Sequence, residues 1–138
     1  MKILYVSNSK IPSRTANSIH VMKMCQAFSN NGHNVILLAP DIKKNNEKNV
    51  VDIYEFYGVK KNFIIKKLWY PNFIGGAFFY SLAIYIYLMI NKKFDLVYGR
   101  FLYGCYAAVL LKNKVIFEEH GSMTDTKKHV MLIFKILL

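Results

Sequence analysis

Acidic residues are scarce in this chain: its 138 residues carry eight Asp and Glu against 19 Lys and Arg, a formal net charge of +11. Such an excess favours an anionic partner, whether a phosphorylated substrate, an acidic lipid surface or nucleic acid, and it also serves simply to keep a Lys- and Asn-rich chain in solution. No nucleic-acid-binding module accompanies the charge, so nucleic acid is not an expected partner. Cysteine is almost missing. Cys25 and Cys105 fall on expected helices as small apolar residues without paired metal-ligand spacing, which argues against a cysteine metal site and a disulfide framework and for free thiols in a reducing cytosol.

Glycine is absent where a dinucleotide cofactor would need it. The loop from Ser7 to Asn17 contains none, so the Gly-x-Gly-x-x-Gly cradle for a pyrophosphate is lacking and a nicotinamide or flavin dehydrogenase is disfavoured. Neither a Ser-His-Asp arrangement nor a metal cluster can be assembled. Glu118 and Glu119 are adjacent on an expected strand, so they point to opposite faces and cannot act as an acid/base pair. There is no internal repeat and no low-complexity linker, and the first residues show no basic region ahead of an apolar stretch with a cleavage site, so a secretory signal is not expected.

What is present is ordered alternation, and 54% hydrophobic residues suffice for a core. Lys2 to Val6 reads as a buried strand ending near Ser7. From Ser18 the residues Val21, Met24, Cys25 and Phe28 recur at helical spacing, with Asn17 or Ser18 as the cap and Gly32 as the stop, which predicts a helix over residues 18 to 31. Val35 to Ala39 lacks polar alternation, as a strand covered on both faces does, and Pro40 is expected to end it. The polar stretch Asp41 to Asp52 is a surface loop, and Phe63 to Leu68 is a third strand whose flanking lysines suit a sheet edge.

Phe73 to Ile90 is eighteen uncharged residues between Lys66-Lys67 and Lys92-Lys93, which meets the lower length limit for a membrane span. Gly75-Gly76, the hydroxyls of Tyr80, Tyr85 and Tyr87, and its place between two strands favour instead a crossover helix, buried or lying on a surface. Phe94 to Tyr98 follows as strand four, Phe101 to Leu111 as a helix with Gly104, Ala107 and Ala108 for close packing, and Lys114 to Glu118 as strand five. Thr124 or Asp125 caps a last helix running to Leu138. The alternation predicts one α/β domain over residues 1–138, a doubly wound, Rossmann-like parallel sheet in strand order 3-2-1-4-5.

Five stretches carry a resemblance: the opening strand; Ile11-Pro12-Ser13 with Ala16-Asn17-Ser18-Ile19-His20; the turn Gly32-His33-Asn34-Val35; Asp95-Leu96-Val97-Tyr98-Gly99-Arg100; and Val115-Ile116-Phe117-Glu118-Glu119-His120-Gly121. In this order the chain resembles the N-terminal, acceptor-side domain of family 4 glycosyltransferases, retaining enzymes of the GT-B fold. The resemblance covers nearly the whole chain but only half of such an enzyme. It implies transfer of a hexose or similar sugar from a nucleotide-sugar donor to a glycan or lipid-linked acceptor in cell-envelope polysaccharide synthesis. The donor would bind mainly through a second domain outside this sequence, no further cofactor is expected, and the 138 residues alone are expected to be inactive. The rival expectation is a non-catalytic remnant or subunit that binds an anionic membrane surface or a partner domain. Either way the expected location is the cytoplasm, peripheral on the inner face of the cell membrane.

In this strand order, ligands bind where strands one and four diverge, at their carboxyl ends. Thr15, Asn17 and His20 could offer side-chain hydrogen bonds there, near a helix N-terminus, or serve as cap and surface residues. Arg100 is a fixed positive charge beside the same point, suited to a phosphate or carboxylate or to a plain ion pair. The resemblance implies that His120, followed by Gly121, lies where the sugar is transferred. His33, at the opposite end of the sheet, is expected to be structural.

Overall fold

The computed structural model describes residues 1–42, 47, 49–91 and 93–119. Five parallel strands, β1 (Lys2–Val6), β2 (Asn34–Asp41), β3 (Ile64–Trp69), β4 (Leu96–Gly99) and β5 (Val115–Phe117), form one sheet in the order β3-β2-β1-β4-β5. This is the expected doubly wound, Rossmann-like order. Helices α1 (Ala16–Asn30) and α2 (Ile53–Phe56) cover one face, and α3 (Gly76–Ile90) and α4 (Leu102–Leu110) cover the other.

The central strand explains the two-layer core. Side chains alternate across a pleated strand, so Ile3 and Tyr5 join the α1 layer with Val21, Met22, Cys25 and Leu37, while Leu4 and Val6 join the α3 layer with Leu38, Tyr80, Ile84 and Leu88. On the α3 side the backbone comes very close. A Cβ on Gly104 would lie 2.6 Å from Val6 Cγ1 and 2.9 Å from Ile84 Cδ1, so the small residues of α4 let it settle onto β1 as expected.

Several boundaries differ from expectation, each for a local reason. Helix α1 begins at Ala16 because Thr15, not Asn17 or Ser18, is the cap, its hydroxyl accepting from Ser18 N. Gly32 does supply the left-handed stop, at φ 81°. Pro40 does not end β2, which continues to Asp41 opposite Trp69 of β3. Leu38 O accepts from Ser7 N on the β1 side, so the Pro40 nitrogen, two residues on, faces the same way, where β1 has already ended and no ladder donor is needed. The polar stretch after β2 is followed by the short α2, capped by Asp52, whose carboxylate accepts from Tyr54 N and Glu55 N.

Helix α3 has 15 residues and starts at Gly76, not Phe73. Its Tyr80, Ile84 and Leu88 are in the core, as a crossover helix requires. Among the described residues no helix is long and apolar enough to cross a membrane. The expected last helix, capped by Thr124 or Asp125, lies outside the described residues.

Candidate functional site at the carboxyl ends of β1, β4 and β5

The chain reverses its winding direction between β1 and β4, and the segments leaving those two strands and β5 meet there. The first segment is held without any glycine. Ser7 Oγ donates to Ser9 Oγ at 2.8 Å and accepts from Ser9 N at 3.0 Å, Ser18 Oγ donates to Lys10 O at 2.8 Å, and Asn17 Nδ2 donates to Ser9 Oγ. Two tyrosines pin the same segment from opposite sides of the sheet. Tyr80 OH donates to Ser7 O at 2.7 Å, while Tyr57 OH accepts from Ser13 N at 2.6 Å and donates to Ser13 O at 2.8 Å. Thr15 and Asn17 are thus engaged in building the loop, the first as helix cap and the second through its amide nitrogen.

His20 and Arg100 do converge, and the group that joins them is Glu118. Its Oε1 lies 3.0 Å from His20 Nε2 and 3.7 Å from Arg100 Nε. Its Oε2 accepts from Tyr98 OH at 3.1 Å and from Tyr5 OH at 3.5 Å. The ladder brings the carboxylate there: Glu118 N donates to Gly99 O at 2.8 Å and Arg100 N donates to Val6 O at 3.1 Å, both continuing strand pairing past the last strand residues. The Arg100 side chain is only 8% exposed.

Burial, reinforced by the hydrogen bond to Glu118 and its charge, pushes the Tyr98 phenol up to about 12. The Tyr5 phenol is raised as well, by burial first and the Glu118 charge second. Both phenols therefore stay protonated near neutrality and serve as donors to one carboxylate. The arrangement can hold a polar or anionic group next to a fixed guanidinium, with aromatic hydroxyls orienting the carboxylate. Among the described residues no group of three His, Cys, Asp or Glu could hold a metal ion.

Glu118, Tyr98 and Tyr5 escaped the reading of the sequence, which weighed Glu118 only as one of two adjacent carboxylates. The signal was available in the register. Tyr5 stands opposite Tyr98, and Tyr98 opposite Ile116. Counting by two along β4 and β5 then puts Tyr98, Arg100 and Glu118 on one face. His33 is in the turn before β2, at the far end of the sheet. His120 and Gly121 lie outside the described residues.

No family model matches the chain, and no curated protein does. Solved structures do share its fold. MurG of Acinetobacter baumannii aligns with a TM-score of 0.57 at 13% identity, over 96% of this chain and 39% of its own. The C-terminal domain of the PF1911 hydrogenase of Pyrococcus furiosus aligns with a TM-score of 0.56, also at 13% identity, over 86% of this chain and 91% of that domain. At this identity the likeness shows the α/β architecture, and its two bearers differ in chemistry, so function must be argued from the site.

A second feature lies away from the crevice. Between α3 and α4 is a groove of about 540 Å³ lined by Phe78, Leu82, Tyr85, Tyr103, Tyr106 and Leu110, among others. Phe78, Leu82, Ile86, Met89 and Ile90 are exposed along the outer side of α3.

Proposed function

We propose that this chain is the acceptor-side half of a retaining, family 4-like glycosyltransferase, which transfers a sugar from a nucleotide-sugar donor to a glycan or lipid-linked acceptor together with a nucleotide-sugar-binding half. The observation that carries the reading is the cluster of His20, Arg100, Glu118, Tyr98 and Tyr5 at the switch point. A fold shared with MurG, a GT-B glycosyltransferase, supports it. In this reading the crevice is one wall of a two-walled cleft. Holding donor and acceptor in attack geometry takes both walls, so these 138 residues alone give no transfer.

By the resemblance, His120 contacts the transferring sugar as positive charge builds at the anomeric carbon. The test pairs the chain, fused or in trans, with a nucleotide-sugar-binding half and measures transfer from uridine and guanosine diphosphate sugars. His120→Ala should lower turnover about ten- to a thousandfold, or ~1.4 to 4 kcal/mol of transition-state stabilisation. His33→Ala should disturb stability more than turnover. Unchanged turnover in His120→Ala with a lowered melting temperature would make His120 structural and sink the assignment.

A second reading, compatible with the first, rests on the outer face of α3: attachment to an anionic bilayer. The exposed apolar stripe lies on the same side of the sheet as the tyrosine-lined groove, and Lys66, Lys93, Lys112 and Lys114 are exposed in the segments flanking α3 and α4. Lys66 Nζ sits 5.4 Å from the ring centre of Tyr87 on α3 itself. An apolar face bordered by cations suits acidic headgroups over an acyl boundary. Flotation with vesicles tests it. Binding should require anionic lipid and weaken at about 0.5 M salt; indifference to both would refute it.

A further inference from the structure

Arg100 carries an imbalance that nothing among the described residues resolves. Its Nη1 is buried and has no hydrogen-bond partner among the described residues, although the side chain is more than nine-tenths shielded from water, at 8% exposure. A buried ionised donor left in that state is costly, and native structures normally satisfy it. The nearest carboxylate does not do so. Glu118 Oε1 meets Arg100 only from the Nε side, at 3.7 Å, and is closer to His20 Nε2, at 3.0 Å. The other oxygen of Glu118 takes the Tyr98 and Tyr5 hydroxyls. One negative charge is therefore divided among at least four groups, and the guanidinium is only partly compensated by it.

We propose that Arg100 is the anchor of an oxyanion-binding site at the switch point: Nη1 donates to an oxygen of a ligand phosphate or carboxylate, while Glu118, from the Nε side, sets the plane of the guanidinium. An anion suits the site better than a neutral carbonyl because a charge-assisted bond both fills the empty donor and supplies the missing countercharge. The planar fork matters, since it presents donors on two edges at fixed angles and lets one edge face Glu118 while the other faces the ligand. Tyr98 and Tyr5 act as positioning residues, because their hydroxyls hold the carboxylate that orients Arg100. The site is a property of these 138 residues and stands whether or not the chain takes part in sugar transfer.

The sequence makes the test clean, because Arg14 and Arg100 are the two arginines of the chain and Arg14 is 80% exposed on the surface. The chain is labelled with ¹⁵N-arginine and titrated at constant ionic strength with inorganic phosphate and, separately, with acetate. The expected result is a saturable shift of the Arg100 side-chain signals with little movement of Arg14. The anion that saturates at lower concentration identifies the ligand class as phosphate or carboxylate. Arg100→Gln should weaken phosphate binding at least tenfold, Arg100→Lys should recover only part of the loss because it keeps the charge without the fork, and Arg14→Gln should leave affinity unchanged. Parallel, non-saturating shifts at both arginines, or equal weakening by Arg14→Gln and Arg100→Gln, would show diffuse attraction to a basic surface and overturn the proposal. Should Arg100→Gln fail to fold, the labelled wild-type chain still decides the matter.

Discussion

Helices α1 and α3 are both 15 residues long and lie on opposite faces of one sheet, yet they treat water differently. Each buries a stripe at helical spacing: Ser18, Val21, Met22 and Cys25 on α1, and Gly76, Tyr80, Ile84 and Leu88 on α3. Their outer sides diverge. On α1 the exposed positions are Ala16, Ile19, Lys23, Ala27 and Asn30, mostly small or polar, whereas on α3 they are Phe78, Leu82, Ile86, Met89 and Ile90. Folding explains the inner stripes of both helices. It does not explain the outer stripe of α3, because exposed carbon on that scale adds nothing to the core, and large contiguous apolar patches mark contact surfaces.

The strongest way to break the comparison is to make the outer side of α3 resemble that of α1. Phe78→Ser with Ile86→Ser should reduce partition onto anionic vesicles by about two to four orders of magnitude, since each such side chain contributes ~1.5–3 kcal/mol when it leaves water. Thermal stability should hardly move, because both residues are exposed. Ile19→Ser on α1 is the control and should leave partition unchanged. A double variant that floats as well as the wild type would remove the α3 face from the membrane reading.

The inner stripes should behave alike, and that equality sharpens the contrast. Met22→Ala beneath α1 and Ile84→Ala beneath α3 each empty a fully buried position, so each should cost ~2–5 kcal/mol in denaturant unfolding. Neither is expected to alter vesicle partition per folded molecule. A loss well under 1 kcal/mol for Ile84→Ala would mean that α3 is not seated on the sheet as described.

The inner stripes were the legible part of this protein. Strand order and helix faces follow from hydrophobic runs that each lie within about fifteen residues, and the alternation Ile3, Tyr5 against Leu4, Val6 already implies two layers. Pro40 does not end its strand as expected because its effect depends on where the neighbouring strand stops, which is not a property of its own segment. The candidate site was half legible for the same reason. His20 and Arg100 stood out as chemistry near a switch point, but Glu118 joins them from 98 and 18 residues away, and its role appears only once β4 and β5 are in register. Thr15 is the cap because its backbone is extended and its hydroxyl accepts from Ser18 N, whereas Asn17 lies inside the helix and gives its amide to Ser9, eight residues earlier.

The two layers also share a response to alkali. Cys25 lies on the inner face of α1 and Cys105 on that of α4, both fully buried. Burial raises both thiols, Cys105 to about 12. A raised pKa in the folded state means that the unfolded chain loses its thiol protons first, so stability is intact below the ordinary thiol range and falls as pH rises through it. Unfolding free energies from denaturant titration should therefore be level up to about pH 8 and decline above about pH 9, by ~1 kcal/mol per pH unit for each thiol. Cys105→Ala should flatten part of that decline. Thiol reagents should label neither cysteine in the folded chain near neutral pH, because only the thiolate attacks; rapid labelling of Cys25 would contradict its place on the inner face of α1.

The smallest expected effect concerns the point where the two layers touch the same loop. Tyr57 reaches the first loop from the α2 side and Tyr80 from α3, and each ends on a backbone group, Ser13 and Ser7 respectively. Replacing either with phenylalanine keeps the ring and removes only the hydroxyl. Tyr80→Phe leaves the Ser7 carbonyl without a buried donor and should cost ~1 kcal/mol; Tyr57→Phe gives up two bonds in a half-buried place and should cost ~0.5–1.5 kcal/mol. The more telling readout is local. If the two phenols clamp the loop independently, amide exchange at Ser13 should quicken in Tyr57→Phe without change at Asn8, whose amide shares the peptide unit of the Ser7 carbonyl, and the reverse should hold in Tyr80→Phe. Faster exchange at both ends in either variant would show instead that the loop opens as one unit, held by its internal serine and asparagine bonds, with the tyrosines on the two faces acting on a single equilibrium.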